Sequence, residues 1–143
     1  MDLRPLTKDY MIGPQLAPGD MAALADQGVR LVICNRPDAE NPADLQASAM
    51  QAAADAAGIG FVYNPVKGAA MTLDNVEEQA AALEAAEGPV VAYCASGMRS
   101  AVMWAFSQAG QMETDAILAA GNAAGFSLDG MRGQIEAMAA RAE

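Results

Sequence analysis

The strongest constraint in this sequence is an alternation. Short runs of branched or aromatic apolar residues, Val29–Cys34 (VRLVIC), Phe61–Tyr63 and Pro89–Tyr93 (PVVAY), are separated by longer alanine-rich stretches with helical spacing. Strands that alternate with helices cross over and return in the same direction, so the pattern predicts an α/β fold built on a parallel sheet. Tyr10–Ile12 supplies a weaker first strand. Helices are predicted over Pro18–Gln27, over Asp44–Ala57, and from a Thr72 cap to about Ala86. A further helix is predicted over Ser100–Ala109, and two more over Glu113–Ala120 and Ser127–Ala142, interrupted by Gly121 and Gly125. PVVAY is short and apolar on both faces, as a central parallel strand must be. The 143 residues suit one domain, 1–143, with one sheet flanked by helices.

Charge and residue usage exclude several function classes. A formal charge of −10 opposes nucleic acid and anionic membrane surfaces, which are held by clustered Lys and Arg. No apolar run approaches the roughly 20 residues of a bilayer span, and the first residues lack a signal peptide's apolar core. A cytoplasmic location is the expectation. With no histidine and only two cysteines, the chain has neither a His-based triad, nor zinc-finger spacing, nor a disulfide framework. No metal and no cofactor is expected.

The chemistry concentrates in Cys94-Ala95-Ser96-Gly97-Met98-Arg99, between PVVAY and the helix predicted from Ser100. A loop from a parallel strand into a helix turns successive backbone N–H groups inward and adds the positive end of the helix dipole, which makes an anion cradle. Converging N–H dipoles, a helix N-terminus and a nearby guanidinium are the features that favour a thiolate, the nucleophilic form of cysteine. Cys94 and Arg99 are therefore the candidate catalytic residues, and Ala95, Ser96, Gly97 and Met98 the candidate binding residues. Ser100 can hydrogen-bond the thiolate or cap the helix. The bland alternative for Cys94 is an inert core cysteine.

Strand-Cys-x-x-Gly-x-Arg-Ser-helix resembles the active-site loop of rhodanese sulfurtransferases and of cysteine-based protein phosphatases. Taken with Tyr10-Met-Ile, Gln15 to Pro18, VRLVICNRPDAE, FVYNPV and YCASGMRSAVMWA, it resembles the DUF442 family of phosphatase-like bacterial sulfurtransferases over roughly Asp2 to Gly110. That family is also found fused to β-lactamase-fold persulfide dioxygenases. The resemblance implies a phosphatase-like fold with a parallel sheet of about four strands, the cysteine strand central, and a persulfide dioxygenase as a candidate partner.

Loop length and a missing acid separate the reactions. Phosphatases of this superfamily place five residues between cysteine and arginine; here four intervene, as in rhodaneses. A phosphatase also needs an acid to protonate its leaving oxygen, usually an aspartate about thirty residues before the cysteine. Asn64-Pro65 stands there, no acid occurs between Phe61 and Leu73, and Asp74 suits its helix terminus. Sulfane-sulfur transfer needs no such acid when sulfite or a low-pKa thiolate departs. The reading is a sulfurtransferase that takes sulfur from thiosulfate or glutathione persulfide and passes it to a thiol or cyanide through a Cys94 persulfide. A cysteine-dependent phosphatase is the alternative, and a non-catalytic redox or persulfide sensor the next.

Asn35-Arg36-Pro37-Asp38 leaves the carboxyl end of its strand, where ligands collect in open α/β sheets. Arg36 can add charge at the rim and Asp38 can orient an arginine, or the two can form a plain turn with a surface ion pair. Cys34 can resolve an oxidised Cys94 or simply pack in the core. Trp104 and Phe106 are expected as core anchors.

Overall fold

The computed structural model describes residues 1–68 and 71–142, the side chain of residue 142 excepted. Its strands are β1 (Arg4–Thr7), β2 (Tyr10–Gly13), β3 (Leu31–Cys34), β4 (Gly60–Tyr63) and β5 (Val90–Tyr93), joined in one sheet of order β1-β2-β5-β3-β4. The predicted central position of the cysteine strand is found: β5 lies between β2 and β3 and runs parallel to both, and β3 runs parallel to β4. The sheet of about four parallel strands is, however, extended by a fifth that the hydrophobic pattern does not signal. β1 pairs antiparallel with β2, Arg4 opposite Ile12 and Pro5 opposite Met11. Its proline is tolerated because an edge strand leaves one row of N–H positions unpaired.

Alternation along β5 divides the core. Val90 and Ala92 face one cluster with Trp104, Ile117 and Ile135, while Val91 and Tyr93 face the other with Leu24, Met50 and Ala54. The first layer consists of α3 (Leu73–Ala85), α4 (Met98–Gln108), α5 (Thr114–Ala123) and α6 (Arg132–Ala142); the second consists of α1 (Asp20–Asp26) and α2 (Ala47–Ala57). Trp104 is 1% exposed and its ring lies 6.2 Å from that of Tyr10, so it and Phe106 are the core anchors expected of them.

Local chemistry explains where element boundaries move. The stretch predicted as helix from Asp44 instead holds a 3₁₀ turn over Ala43–Leu45, and α2 begins at Ala47, whose N–H donates to Asp38 Oδ1 at 2.8 Å. Thr72 caps α3 as predicted, with Asn75 closing a capping box. Gly121 lies inside α5 rather than ending it, because Leu128 packs so close that a Cβ there would sit 2.6 Å from its Cδ1. The helix predicted from Ser127 begins at Arg132, after a 3₁₀ turn at Asp129–Met131.

The carboxyl ends of the four parallel strands, at Gly13, Cys34, Tyr63 and Tyr93, point to one end of the sheet. The segments that follow them assemble the site. No described helix is long and apolar enough to cross a membrane.

Candidate active site

α4 begins at Met98, two residues before the predicted start, so Arg99 belongs to its first turn. The turn between β5 and α4 is Cys94–Gly97, and Gly97 closes it with φ of 103°. A Cβ at Gly97 would lie 2.9 Å from both Ile12 Cγ2 and Phe126 Cζ, so backbone conformation and space both demand glycine. The Gly97 N–H donates to Cys94 Sγ at 3.1 Å, and Cys94 is 1% exposed. The sulfur therefore sits at the floor of a turn with a backbone donor aimed at it. Ala95, Ser96 and Met98 form the exposed outer rim, and the Ala95 carbonyl accepts from Gln15 N–H at 3.2 Å. A cavity of about 270 Å³ adjoins this rim, lined by Ser96, Met98, Ile12, Arg4 and Phe126 among others.

A clamp of charged groups stands over the turn. Arg99 donates to Glu40 Oε2 and Oε1 at 2.8 Å each and to the Val66 carbonyl at 2.9 Å. Arg36 donates through Nε to Glu40 Oε1 at 3.3 Å, and through a terminal nitrogen to Gln15 Oε1 at 3.2 Å. Glu40 thus holds both guanidinium groups. Its hydrogen bonds from Arg99, with a smaller contribution from Arg36, hold its carboxyl below the usual glutamate range. The same carboxylate raises Arg99, and negative charge at Cys94 adds to the effect. Arg36 does stand at the rim. Asp38 does not orient an arginine: its carboxylate caps α2, and its own N–H donates to the Tyr63 hydroxyl oxygen at 2.8 Å. Glu40 is the residue of this cluster that sequence reasoning missed. Two guanidiniums at one anion site call for a counter-charge, but NRPDAE offers two acids and spacing alone does not separate them.

Under the turn lies a layer of neutral polar groups, all buried. Ser100 Oγ donates to Asn35 Oδ1 at 2.9 Å, so Ser100 neither caps α4 nor hydrogen-bonds the sulfur. Asn35 Nδ2 donates in turn to the Asn64 carbonyl at 3.1 Å and to Gln79 Oε1 at 3.3 Å. Gln79 donates to the Tyr10 hydroxyl at 2.9 Å, and that hydroxyl donates to the Ser100 carbonyl at 3.3 Å. Burial pushes the Tyr10 hydroxyl far above its ordinary value, so it remains a donor. Asn64, which stands where a phosphatase acid is sought, is engaged elsewhere: its amide donates to the Asn75 carbonyl at 2.9 Å and accepts from Asn75 Nδ2 at 2.8 Å. Asp74 is exposed in the first turn of α3, where its charge favours the helix dipole.

Cys34 is a free thiol, as is Cys94. Its side chain packs in the α1/α2 core and donates to the Arg36 carbonyl at 3.3 Å, and burial pushes its thiol up. Cys34 is in register with Tyr93, so pleat alternation turns Cys94, one residue later, toward the opposite face. Among the described residues, no group of acidic or cysteine side chains is arranged to hold a metal ion.

A model of the family described as "Beta-lactamase hydrolase-like protein, phosphatase-like domain" matches residues 2–111. A beta-lactamase hydrolase-like protein of Xylella fastidiosa is 37% identical over 106 residues, covering 73% of this chain and 25% of that protein. Its namesake in Agrobacterium fabrum is 32% identical over 111 residues, covering 76% and 26%. The chain therefore spans about a quarter of the length of the curated relatives it matches. Among solved structures, a candidate phosphatase of Neisseria meningitidis superposes with a TM-score of 0.82 at 31% identity, over 96% of this chain and 99% of that one. A DUF442 protein of Shewanella putrefaciens, also named as a candidate phosphatase, gives 0.72 at 19% identity over 95% and 91%. PTPMT1 in complex with PI(5)P gives 0.76 at 20% identity over the whole of both chains. The last two share the fold.

Proposed function

The chain belongs to the family of phosphatase-like domains of beta-lactamase hydrolase-like proteins, and from that premise we propose that it is an enzyme in which Cys94 carries out covalent transfer of sulfane sulfur. The observation that carries this reading is the state of the acids around the turn. Glu40, which bridges Arg36 and Arg99, is held ionised by those two arginines and so has no proton to give, while Asp38 is spent on α2 and Asn64 on Asn75. A reaction whose leaving group departs without protonation fits such a site; hydrolysis of an alkyl phosphoester does not.

In the first step the Cys94 thiolate attacks the outer sulfur of a donor. With thiosulfate, a sulfur–sulfur bond forms to Cys94 as the donor's own sulfur–sulfur bond breaks, and sulfite leaves with that electron pair. With an organic persulfide, the thiolate RS⁻ leaves instead and takes its proton from water. Cyanide or a thiolate then attacks the outer sulfur of the Cys94 persulfide, and the Cys94 thiolate is regenerated. The Gly97 N–H supports the sulfur at the floor, and Arg99 offers its guanidinium to the anionic end of the donor. The candidate partner is a β-lactamase-fold enzyme that consumes persulfide; the longer relatives' name, beta-lactamase hydrolase-like protein, supports the β-lactamase part, and the persulfide part rests on the sulfur-transfer reading.

The phosphatase reading is the second one, favoured by the names of the relatives themselves. One preparation assayed side by side separates the two. Thiocyanate formation from thiosulfate or glutathione persulfide with cyanide, abolished in Cys94→Ser, is the expected result. Cys94-dependent phosphate release from an aryl phosphate, with no thiocyanate, overturns sulfur transfer in favour of the phosphatase.

A further inference from the structure

The guanidinium that would hold the substrate is already bound by this chain's own carboxylate. Glu40 receives both arms of the Arg99 fork at 2.8 Å, the geometry in which arginine grips a planar anion, and it also pairs with Arg36 at 3.3 Å. Among the described residues, the bonds to Glu40 and to the Val66 carbonyl leave Arg99 Nε–H and one terminal N–H without a partner. With the reactive thiolate in place, the two guanidinium charges are matched by Glu40 and Cys94, so the resting pocket is close to neutral. A protein of net charge −10 adds no attraction from a distance. A doubly charged anion entering this pocket meets those two donors with the Glu40 carboxylate alongside them. A donor with at most one negative charge at its reacting end does not need the second guanidinium.

We propose that Glu40 is a specificity-determining residue: as a built-in counter-ion to Arg36 and Arg99 it makes the Cys94 turn select organic persulfides over dianions such as thiosulfate, sulfate and phosphoesters. The inference deepens the sulfur-transfer reading and rests on it for the identity of the favoured donor; the exclusion of dianions rests on the clamp alone.

The test therefore has two arms on the full chain. In the first, transfer to cyanide is measured with glutathione persulfide and with thiosulfate in wild type, Glu40→Gln and Glu40→Asp. Wild type favours the persulfide in kcat/KM, Glu40→Gln raises the thiosulfate-to-persulfide ratio of kcat/KM about tenfold, and Glu40→Asp keeps the wild-type ratio. An equal fall for both donors in Glu40→Gln overturns the proposal, since it makes Glu40 only a positioning residue for Arg99. The second arm needs no turnover: calorimetric binding of inorganic sulfate to Cys94→Ser and to Cys94→Ser/Glu40→Gln. Tighter sulfate binding in the double variant, by about tenfold, supports the counter-ion role even if no sulfur transfer is found; equal binding in both overturns it.

Discussion

The two sides of the Cys94 turn are built from opposite materials. Below it, Asn35, Gln79, Ser100 and Tyr10 are 0–3% exposed and joined by neutral hydrogen bonds; above it, Arg99 and Glu40 are ionic, with side chains 18% and 37% exposed. The difference separates two tasks. A buried amide network that is fully paired has few alternatives and holds the turn in one shape, because each broken bond strands a polar group away from water. An ion pair at the surface is screened and adds little to stability, so its charges can be set by what the site must bind and not by what the fold needs. The floor fixes geometry and the rim reads charge.

If that division is right, the floor breaks hardest. Asn35→Ala removes the acceptor for Ser100 Oγ and the donor to Asn64 and Gln79, and is expected to cost about 3 kcal/mol of stability in urea or thermal unfolding. Gly97→Ala forces a Cβ against Ile12 and Phe126 at φ of 103° and moves the donor off Cys94 Sγ; transfer activity should fall by on the order of 10². At the rim the order reverses between activity and stability. Arg99→Lys loses the fork and should lower kcat/KM by about 10², while stability changes by no more than about 1 kcal/mol because the pair is partly exposed. A loss of several kcal/mol in Arg99→Lys would erase the distinction drawn between floor and rim.

The smallest effect is in the pH dependence of the clamp. The Glu40 carboxyl lies below its ordinary value in the folded chain, so its stabilisation is complete above the unfolded value and disappears as pH falls through the folded one. The difference in urea midpoint between wild type and Glu40→Gln should be constant near neutrality and shrink only below the ordinary glutamate range. A difference that shrinks between pH 6 and pH 7 would mean another group governs the clamp.

The two regions also differ in how far the sequence reveals them. The turn and the rim come from two short segments, each directly after a strand, so Cys94, Gly97, Arg99 and Arg36 can be read from strand-to-loop transitions, and the family resemblance over roughly Asp2 to Gly110 coincides with the match at residues 2–111. What escapes there is the choice between Asp38 and Glu40, which depends on where α2 starts; the late start makes Asp38 its cap and frees Glu40 for the arginines. The floor joins residues 10, 35, 64, 79 and 100, each from a different strand end or helix. No local pattern announces an asparagine that will be buried by such a network. β1 was illegible for a related reason: Arg-Pro-Leu-Thr has strand character only through its pairing with β2.

Sulfur transfer at Cys94 is tested most directly by the intact mass of the full chain after brief exposure to glutathione persulfide, and again after cyanide. Sulfur transfer predicts a gain of one sulfur atom at Cys94, absent in Cys94→Ser, and its removal by cyanide with thiocyanate formed in equal amount. An unchanged mass with the persulfide, together with a phosphate adduct trapped on Cys94 from an aryl phosphate, would contradict it.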